Sequence, residues 1–481
     1  MDEPPIILWF RLDLRLADNP ALAAATALGL PIIPVFIWAP EEERAWAPGA
    51  ASRVWLHHSL VALAESLKRK NAQLVLRTGS SALSELRKLI SETGAGSIFW
   101  NRRYEPAVIK RDEVLERELT AGGYRVKSFN SALLFEPWEI LNSQKKPYQI
   151  FGAFERACRK KELAKIRPLP APTKLLCPKK FPKSCSIDDF KLLPKIDWAN
   201  GIQQSWAPGE AGARKNLDRF LKHGLSDYDT RRNLPDCPGT SRLSPHLHFG
   251  ELSPRTIWHA LKQSKPKPRG RGRSTYEKEL LWREFAYHLL YHFPETPDEP
   301  LKQSFRKFPW RKNQGELKLW QKGCTGFPIV DAGTRELWAT GWMHNRVRMI
   351  VASFLVKDLL IPWTEGAQWF WDTLVDADLA NNTLGWQWTA GCGADAAPYF
   401  RVFNPVLQGK KFDPEGNYVR SWVPELARLP KKWIHQPWEA PPEILADAGV
   451  VLGRNYPRPI VNHYEAKDRA LDAYETLRKG G

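Results

Sequence analysis

The sequence predicts a two-domain protein with an α/β N-terminal domain and an all-α C-terminal domain. A chain of 481 residues is long for one hydrophobic core. Strand-like and helical patterns alternate over residues 1–130, whereas helical patterns dominate residues 201–481. Residues 131–200 are rich in Pro, Lys and Ser and are interpreted as a connector. We therefore expect domain boundaries near residues 130 and 200.

The N-terminal pattern is typical of a parallel, Rossmann-like sheet with helices on both faces. Five apolar runs alternate with helical segments: "IILWF", "PIIPVFIW", "QLVLRTG", "SIFWN" and "YRVKSF". No GxGxxG motif follows the first run, so the common dinucleotide-binding fingerprint is absent.

Composition narrows the class of protein. The sequence has no run of about 18 apolar residues, and its acidic N-terminus lacks the features of a secretory signal. We expect a cytoplasmic monomer without a membrane span. The six cysteines form no CxxC pair, so no metal site is predicted.

The net charge indicates a class of binding partner, and the number of Trp residues indicates a role for their indole rings. The net charge of +18 predicts a polyanionic partner, nucleic acid first and an anionic membrane surface second. The 22 Trp are interpreted mainly as an aromatic-rich core, with stacking or electron transfer as the alternative.

The loop "GTSRLS" is a candidate phosphate site. It brings together Thr240, Ser241, Arg242 and Ser244, and hydroxyl, backbone N–H and guanidinium groups suit a phosphate or pyrophosphate. The alternative is a loop of helix caps, because Ser and Thr commonly cap helices.

The stretch "EKELLWREFAYHLL" is a candidate base-binding helix. Its spacing puts Glu279, Trp282 and Arg283 on one helical face, where a carboxylate suits a base edge and an indole suits stacking. The alternative is an ordinary amphipathic helix. The basic stretch from Lys262 to Arg273 is interpreted as a mobile loop that either contacts phosphates or is merely solvated.

The run "GWMHNRVRM" carries Arg346 and Arg348 beside apolar segments that indicate burial. Two buried guanidinium groups need acidic partners, and the nearest acids without another role are Asp376 and Asp378. A surface basic helix is the alternative.

The stretch "DADLANNTLGWQWTAG" combines acids, amides and indoles. Asp378, Asn382 and Trp386 are spaced by four and fit one side of a helix, unless Gly385 ends that helix first. Such a row suits the edge of a fused heterocycle, whose donors and acceptors alternate. A polar turn between two helices is the alternative.

Taken together, these segments resemble the photolyase/cryptochrome family, and within it the cyclobutane pyrimidine dimer (CPD) DNA photolyases. The motifs "WFRxDLRLxDNxAL", "PGExxA", "GTSRLSP", "WREF", "TGWMHNRxRM", "DLANN", "GWQW" and "APYFRxFNP" occur in the family's order along nearly the whole chain. The resemblance implies FAD in the helical domain and light-driven splitting of CPDs in UV-damaged DNA by electron donation from the reduced cofactor.

The resemblance also implies site residues. The flavin would be held by Tyr228, Thr240, Ser241, Arg242, Leu243, Ser244, Arg348, Asp376, Asp378 and Asn382. Damaged DNA would be bound by Glu279, Trp282, Arg283, Asn345, Arg346, Met349, Trp388 and Arg401. Electrons would reach the flavin through Trp386, Trp363 and Trp310. Glu279 and Asn382 would also act in the repair step, and Arg348 would pair with Asp376.

Three alternatives stay open. A cryptochrome photoreceptor is less favoured because Asn382 stands where plant cryptochromes carry Asp, and a carboxylate would repel an anionic reduced flavin. Repair of the (6-4) lesion is less favoured because "MHNRVRM" lacks the His pair of those members. A binding module that only stacks bases is the third.

The resemblance implies a second chromophore, an antenna pigment, in or beside the N-terminal domain. A folate (methenyltetrahydrofolate) is favoured over a deazaflavin. Glu105 in "NRRYEP" resembles a folate-contacting Glu of some members.

Overall fold

The computed structural model describes residues 4–161, 163, 166–264, 270–396, 398–399 and 401–479. Its N-terminal part contains a parallel sheet of order β3-β2-β1-β4-β5. The strands are β1 Ile6–Phe10, β2 Ile32–Trp38, β3 Val75–Thr78, β4 Ser97–Asn101 and β5 Arg125–Phe129. The helices between them are α1 Pro20–Ala27, α2 Ala50–Lys68, α3 Ala82–Thr93 and α4 Pro106–Ala121.

Both faces of this sheet are buried, which explains why its strands are continuous apolar runs. Ile6, Leu8 and Phe10 of β1 pack into one hydrophobic cluster with α1 and α2. The alternate residues Ile7 and Trp9 pack into a second cluster with α3 and α4. Successive side chains of a strand point to opposite faces, so each position of β1 meets a helix. The predicted α/β class is confirmed.

The rest of the described chain is helical apart from isolated β-bridges. Its α-helices are α5 Phe151–Lys160, α6 Asn200–Ser205, α7 Glu210–His223, α8 Tyr228–Arg231, α9 Ser244–His248, α10 Pro254–Gln263, α11 Gly272–His292, α12 Gln314–Gln321, α13 Pro328–Thr340, α14 Asn345–Ser353, α15 Trp363–Thr373, α16 Leu379–Ala390, α17 Pro405–Phe412, α18 Asn417–Trp422, α19 Pro442–Ala448 and α20 His463–Lys479. Short 3₁₀ segments occupy Pro40–Trp46, Pro137–Glu139, Ile187–Phe190, Gln303–Lys307, Pro424–Leu426 and Pro437–Glu439, and a π-helical turn, Phe354–Asp358, continues α14. The predicted all-α second part is confirmed.

Two buried charges of the opening motif join the sheet to the helical part. The Arg15 guanidinium donates to the carbonyl oxygen of Gly250 at 2.7 Å. The Asp18 carboxylate accepts from the Ser253 hydroxyl and from Nε of Arg255, the latter at 3.0 Å. Arg15 and Asp18 are 2% and 0% exposed, so these bonds form where water does not compete. They hold the sheet in one position against α9 and α10.

The segment interpreted as a connector contains a helix that packs on the helical part. Phe154 and Cys158 of α5 lie in the same hydrophobic cluster as Phe285 of α11. The Tyr148 N–H donates to Nε2 of His288 at 3.0 Å. The boundaries at residues 130 and 200 stay a prediction.

None of the described helices is both long and apolar enough to cross a membrane. The described residues also contain no group of three or more His, Cys, Asp or Glu side chains arranged to hold a metal ion.

Candidate active site

A cavity of about 500 Å³ lies among α11, α14, α15 and α16. Its walls unite residues that the sequence predicted from three separate segments. These predicted residues are Glu279, Trp282, Arg283, Asn345, Arg346, Arg348, Met349, Asp376, Asn382, Trp386 and Trp388. The structure therefore brings most of the candidate DNA residues, together with part of the candidate cofactor residues, to one space.

The Asp376 carboxylate forms the predicted ion pair with Arg348. The Arg348 Nη2 group lies 2.8 and 3.0 Å from the two Asp376 carboxylate oxygens, and its Nε donates to the carbonyl oxygen of Met343 at 2.7 Å. Asp376 is 8% exposed, so this charge is both buried and paired. The pair holds a fixed donor and a fixed acceptor at the cavity wall.

The Asp378 carboxylate lies outside the described walls of that cavity. It caps α16 by accepting from the Asn381 N–H at 2.9 Å, and it also accepts from the Tyr287 hydroxyl. Burial alone would raise its pKa, but the His248 ring, whose Nδ1 lies 3.8 Å from Asp378 Oδ2, and the charge of Arg283 hold the pKa of Asp378 well below the ordinary value. The carboxylate is thus ionised and already has its partners.

Helix α16 carries Asn382 and Trp386 on the cavity side and does not end at Gly385. The expectation that Gly385 could end this helix is wrong. Helix α16 continues to Ala390, and Gly391 at φ +86° ends it in the left-handed conformation that suits glycine. Asn382 Nδ2 donates to the carbonyl oxygen of Ala367 on α15 at 3.0 Å, which anchors the amide at the wall.

Arg346 has no acidic partner in the described part of the structure, contrary to the sequence expectation for both arginines. Its Nη2 donates to Asn233 Oδ1 at 2.6 Å, and its guanidinium lies 4.4 Å from the centroid of Phe412. Burial, followed by repulsion from Arg232, lowers the pKa of Arg346. An amide and a ring face replace the missing carboxylate.

Glu279 is paired with a residue that the sequence reasoning missed. Its carboxylate accepts from the Arg232 guanidinium, which itself lies 5.4 Å from the centroid of Tyr228. Arg232 lines the cavity. The only signal in the sequence was the basic pair directly after the "YDT" of α8, and its spatial partner could not be read from that.

His344, directly before α14, is neutral. Burial, then the positive charges of Arg346 and Arg348, lower the pKa of His344 to about 3. Its Nδ1 accepts from the Arg346 N–H at 3.2 Å and caps the helix.

The candidate phosphate residues lie outside the described walls of the cavity. Tyr228 packs edge-on against Phe220 and Tyr276 at 5.4 and 5.1 Å between ring centroids. Ser241 accepts from the Tyr276 hydroxyl at 3.0 Å. Leu243 is buried and directly precedes α9, which begins at Ser244, and Thr240 is half-buried.

Arg242 has the most unusual setting in that loop. Its backbone is left-handed at φ +54°, and its guanidinium lies between the rings of Trp206 and Trp342 at 4.0 and 4.8 Å from their centroids. Burial lowers the pKa of Arg242, with Glu336 acting in the opposite direction. The structure therefore uses this guanidinium to pack two indoles together.

The three candidate electron-transfer indoles lie in one hydrophobic cluster. Trp386 and Trp363 are buried, whereas Trp310 is half-buried and packs against Phe308 at 4.4 Å between ring centroids. Trp386 meets Phe370 at 5.0 Å and Trp320 at 6.3 Å. The cluster therefore extends from Trp386 at the cavity wall to the partly exposed Trp310.

Two further predicted residues lie away from the cavity. Arg401 is exposed, and its N–H donates to the carbonyl oxygen of Pro398 at 2.9 Å. Glu105 accepts from Arg103, with 2.9 Å between Nη2 and Oε1. Arg103 in turn lines a second cavity of about 50 Å³ beside the carboxyl ends of β1 and β2, together with Trp9 and Trp38. Glu105 therefore contacts a residue of the cavity wall, Arg103, and is not itself among the described lining residues.

The predicted basic loop falls partly outside the described residues, which omit 265–269. At its two ends, Lys262 and Arg273 both approach the Glu277 carboxylate, at 3.4 and 3.2 Å. These two charges are therefore tied to α11.

Comparison with known proteins agrees with this geometry. Residues 6–173 match the family model of DNA photolyase, and residues 276–476 match that of the FAD binding domain of DNA photolyase. A deoxyribodipyrimidine photo-lyase of Agrobacterium fabrum is 50% identical over 476 residues, which are 99% of this chain and 98% of that protein. The chain belongs to the photolyase/cryptochrome family.

Both branches of the photolyase/cryptochrome family are represented among its relatives. Cryptochrome-1 of Arabidopsis thaliana is 41% identical over 480 residues, covering 98% of this chain and 70% of that protein. The crystal structure of a bacterial class III photolyase from Agrobacterium tumefaciens superposes with a TM-score of 0.96 at 49% identity, covering 100% of this chain and 98% of that one. The family membership, the flavoprotein class and the cofactor FAD predicted from the sequence are confirmed, and the photolyase relatives support a role in DNA repair.

Proposed function

We propose that this protein splits cyclobutane pyrimidine dimers in UV-damaged DNA, using visible light and reduced FAD. The observation that carries the proposal is the shared cavity. One space about 500 Å³ in volume has the Asp376–Arg348 pair and the Asn382 amide on some walls, and Glu279, Trp282 and Trp388 on others. A flavin and an extruded pyrimidine pair would therefore meet without protein between them.

The residues present fit a flavin ring. A carboxylate, a guanidinium and an amide match the alternating acceptors and donors of an isoalloxazine edge, and they stand beside the buried Trp386. When bound and reduced, FAD would supply the electron that light promotes. Asn382 would hold its Oδ1 toward the ring, because its Nδ2 is engaged by Ala367. Tyr228 and residues 240–244 would hold the phosphates only if the cofactor extends beyond the cavity.

The remaining walls suit the damaged base pair. Trp282 and Trp388 would contact pyrimidine rings, and Glu279 would accept or donate at their polar edge. Asn345, Arg346, Met349 and Arg283 would complete the walls, and Arg401 would contact the backbone from outside. The run "MHNRVRM" has Asn345 where (6-4) enzymes carry a second His, which favours CPDs as substrate.

The deciding experiment is repair under visible light. Purified protein with fully reduced FAD is mixed with an oligonucleotide that contains one thymine dimer, and dimer loss is followed with and without illumination. We expect loss only in the light. No loss with the cofactor fully reduced would contradict the proposal.

A cryptochrome-type photoreceptor is the second candidate, because the match to cryptochrome-1 of Arabidopsis thaliana covers 98% of this chain. Asn382 in place of Asp favours the enzyme. Light-induced flavin reduction without any dimer repair would favour the photoreceptor, and a colourless protein would favour a binding module without chemistry.

We further propose a folate antenna in the second cavity. Ligands of parallel α/β sheets bind beside the carboxyl ends of the strands, and this cavity has Trp9, Trp38 and Arg103 in its walls. Glu105 would act through Arg103. Chromatography of released chromophores tests this proposal, since a deazaflavin or a second flavin would contradict it.

We also propose that the protein is a cytoplasmic monomer. Size-exclusion chromatography with light scattering tests the monomeric state.

A further inference from the structure

Phe151 lies flat against Trp282 at the edge of the candidate active site. Their ring centroids are 3.7 Å apart and their planes differ by 8°, the shortest separation of any ring pair in the described structure. Phe151 is 7% exposed, whereas Trp282 is half-buried and lines the cavity. One face of the indole is therefore covered by Phe151, and a flat ligand in the cavity can stack only on the other.

Phe151 is itself held from two further directions. Its N–H donates to Asp395 Oδ2 at 3.3 Å, which fixes the first turn of α5. Its ring meets the edge of Phe285 at 5.9 Å between centroids, and Phe285 also meets Trp282 edge-on at 5.8 Å. The three rings form one cluster, so the plane of the indole is set by two neighbours instead of being free to rotate about its side-chain bonds.

This support comes from the segment interpreted as a connector. The same segment is also hydrogen-bonded to α11. Arg283 Nη1 donates to the carbonyl oxygen of Ala132 at 2.7 Å. The Leu134 and Phe135 N–H groups donate to the Glu284 carboxylate. It therefore fixes two successive cavity-lining positions of α11, Trp282 by stacking and Arg283 by hydrogen bonding.

We infer that Phe151 is a positioning residue for damaged DNA, which holds the Trp282 indole in the orientation that stacks on an extruded pyrimidine. The inference rests on the proposed function. A smaller side chain at residue 151 would let the indole tilt into the vacated space, so that ordering it again would cost binding free energy. The loss of one aromatic pair corresponds to about a 3- to 10-fold change in an equilibrium constant.

The test compares dissociation constants, measured in the dark, for two duplexes that differ only in one thymine cyclobutane dimer. We expect Phe151→Leu to raise the constant for the damaged duplex about 3- to 10-fold and to leave that for the undamaged duplex and the bound FAD unchanged. Phe151→Tyr, which keeps the ring, should restore tight binding. Phe154→Leu is the matched control, because Phe154 lies on the same helix and packs on Phe285 at 5.2 Å. It should lower the melting temperature without changing damage-specific binding.

The double variant Phe151→Leu/Trp282→Leu separates positioning from a general structural role. Once the indole is absent, removal of Phe151 should have no further effect on damaged-duplex affinity. Equal losses of affinity for Phe151→Leu and Phe154→Leu, or additive losses in the double variant, would overturn the inference.

The Trp282→Leu variant separates failure of the proposed function from failure of the inference. If Trp282→Leu itself leaves damaged-duplex affinity unchanged, the proposed DNA site fails. If Trp282→Leu weakens binding and Phe151→Leu does not, only the inference about Phe151 fails. Should Phe151→Leu not fold, Phe151→Met is compared in the same way.

Discussion

Asn382 Nδ2 lies 3.0 Å from the carbonyl oxygen of Ala367, so the orientation of the Asn382 amide is determined by a backbone acceptor on the neighbouring helix. A carbonyl oxygen can only accept, and the amide must therefore present its nitrogen to Ala367 and its Oδ1 to the other side. That side is the cavity, whose wall includes Asn382. Helices α15 and α16 thus jointly aim one acceptor at the proposed flavin.

We expect Asn382→Asp to destabilise the reduced flavin. The carboxylate cannot donate to Ala367 and would repel a reduced anionic ring, which speeds air oxidation of the reduced protein by at least about tenfold at pH above 7. Stopped-flow absorption after chemical reduction measures this rate. Asn313→Asp, the same change at the cap of α12, should behave as the wild type. An unchanged rate in Asn382→Asp would contradict the assignment.

We expect Gly366→Ala to interrupt the proposed electron path. A Cβ at Gly366 would lie 2.1 Å from Cη2 of Trp386, so the indole has to move. Light-driven reduction of oxidised FAD should then slow, which is also the result we expect for Trp386→Phe, while repair with chemically reduced FAD persists. Transient absorption and the dimer assay give the two rates. In Gly315→Ala, on the exposed face of α12, the nearest atom is 3.4 Å away, and both rates should be unchanged. Loss of repair in the chemically reduced variant would count against the path.

We expect Glu279→Ala to weaken repair without loss of FAD. It removes the carboxylate proposed for the pyrimidine edge and leaves Arg232 without its partner. A hydrogen bond to a charged group contributes about 1.5–3 kcal/mol, so affinity for the damaged duplex should fall by roughly tenfold or more. Titration with damaged duplex measures it, and Glu299→Ala, which breaks the exposed pair with Arg306, is the control. Unchanged repair yield in Glu279→Ala would disprove its role.

We expect the stability of the protein to depend on pH through Glu336. Burial raises the pKa of Glu336 to about 7, opposed by the Tyr418 hydroxyl, the His344 N–H and the charges of Arg242 and Arg348. The folded state therefore binds this proton more tightly than the unfolded state. The stabilisation is present below the ordinary pKa of a Glu and is lost as pH rises through about 7.

Glu336→Gln, which cannot ionise, tests this dependence. Relative to the wild type, its free energy of unfolding should increase between about pH 5 and pH 8 by roughly 1–3 kcal/mol. Denaturant unfolding at both pH values measures the difference. Glu415→Gln, at an exposed position paired with Lys431, should show no such trend. A constant difference between Glu336→Gln and the wild type at the two pH values would refute the prediction.

Local spacing was enough to predict several features correctly. The alternation of strand and helix patterns predicts the parallel sheet, because a period of two and a period of 3.6 residues are written directly in residue order. The spacing of Glu279, Trp282 and Arg283 predicts a common helical face, and all three line the cavity. The need of a buried charge for an opposite one predicts Asp376 or Asp378 as the partner of a buried Arg in "GWMHNRVRM", and the specific Arg348–Asp376 pair is what the family resemblance implied.

Only the tertiary structure decided which of two similar residues reaches the site. Asp376 and Asp378 are equivalent by composition, yet the cap of α16 and the Tyr287 hydroxyl engage Asp378 and leave Asp376 at the cavity. Phe151 belongs by pattern to a connector, and only the packing of α5 on α11 puts its ring against Trp282.

The sequence by itself therefore determined the fold class, the family and the chemical types of residue available for a flavin and a damaged base. The orientation of the Asn382 amide, the pairing of Arg232 with Glu279 and the stack behind Trp282 were decided only by the tertiary structure. The physical reason is that periodicity records which side of its own helix a residue occupies. Contacts between helices distant in sequence depend instead on how those helices pack, which no local spacing encodes.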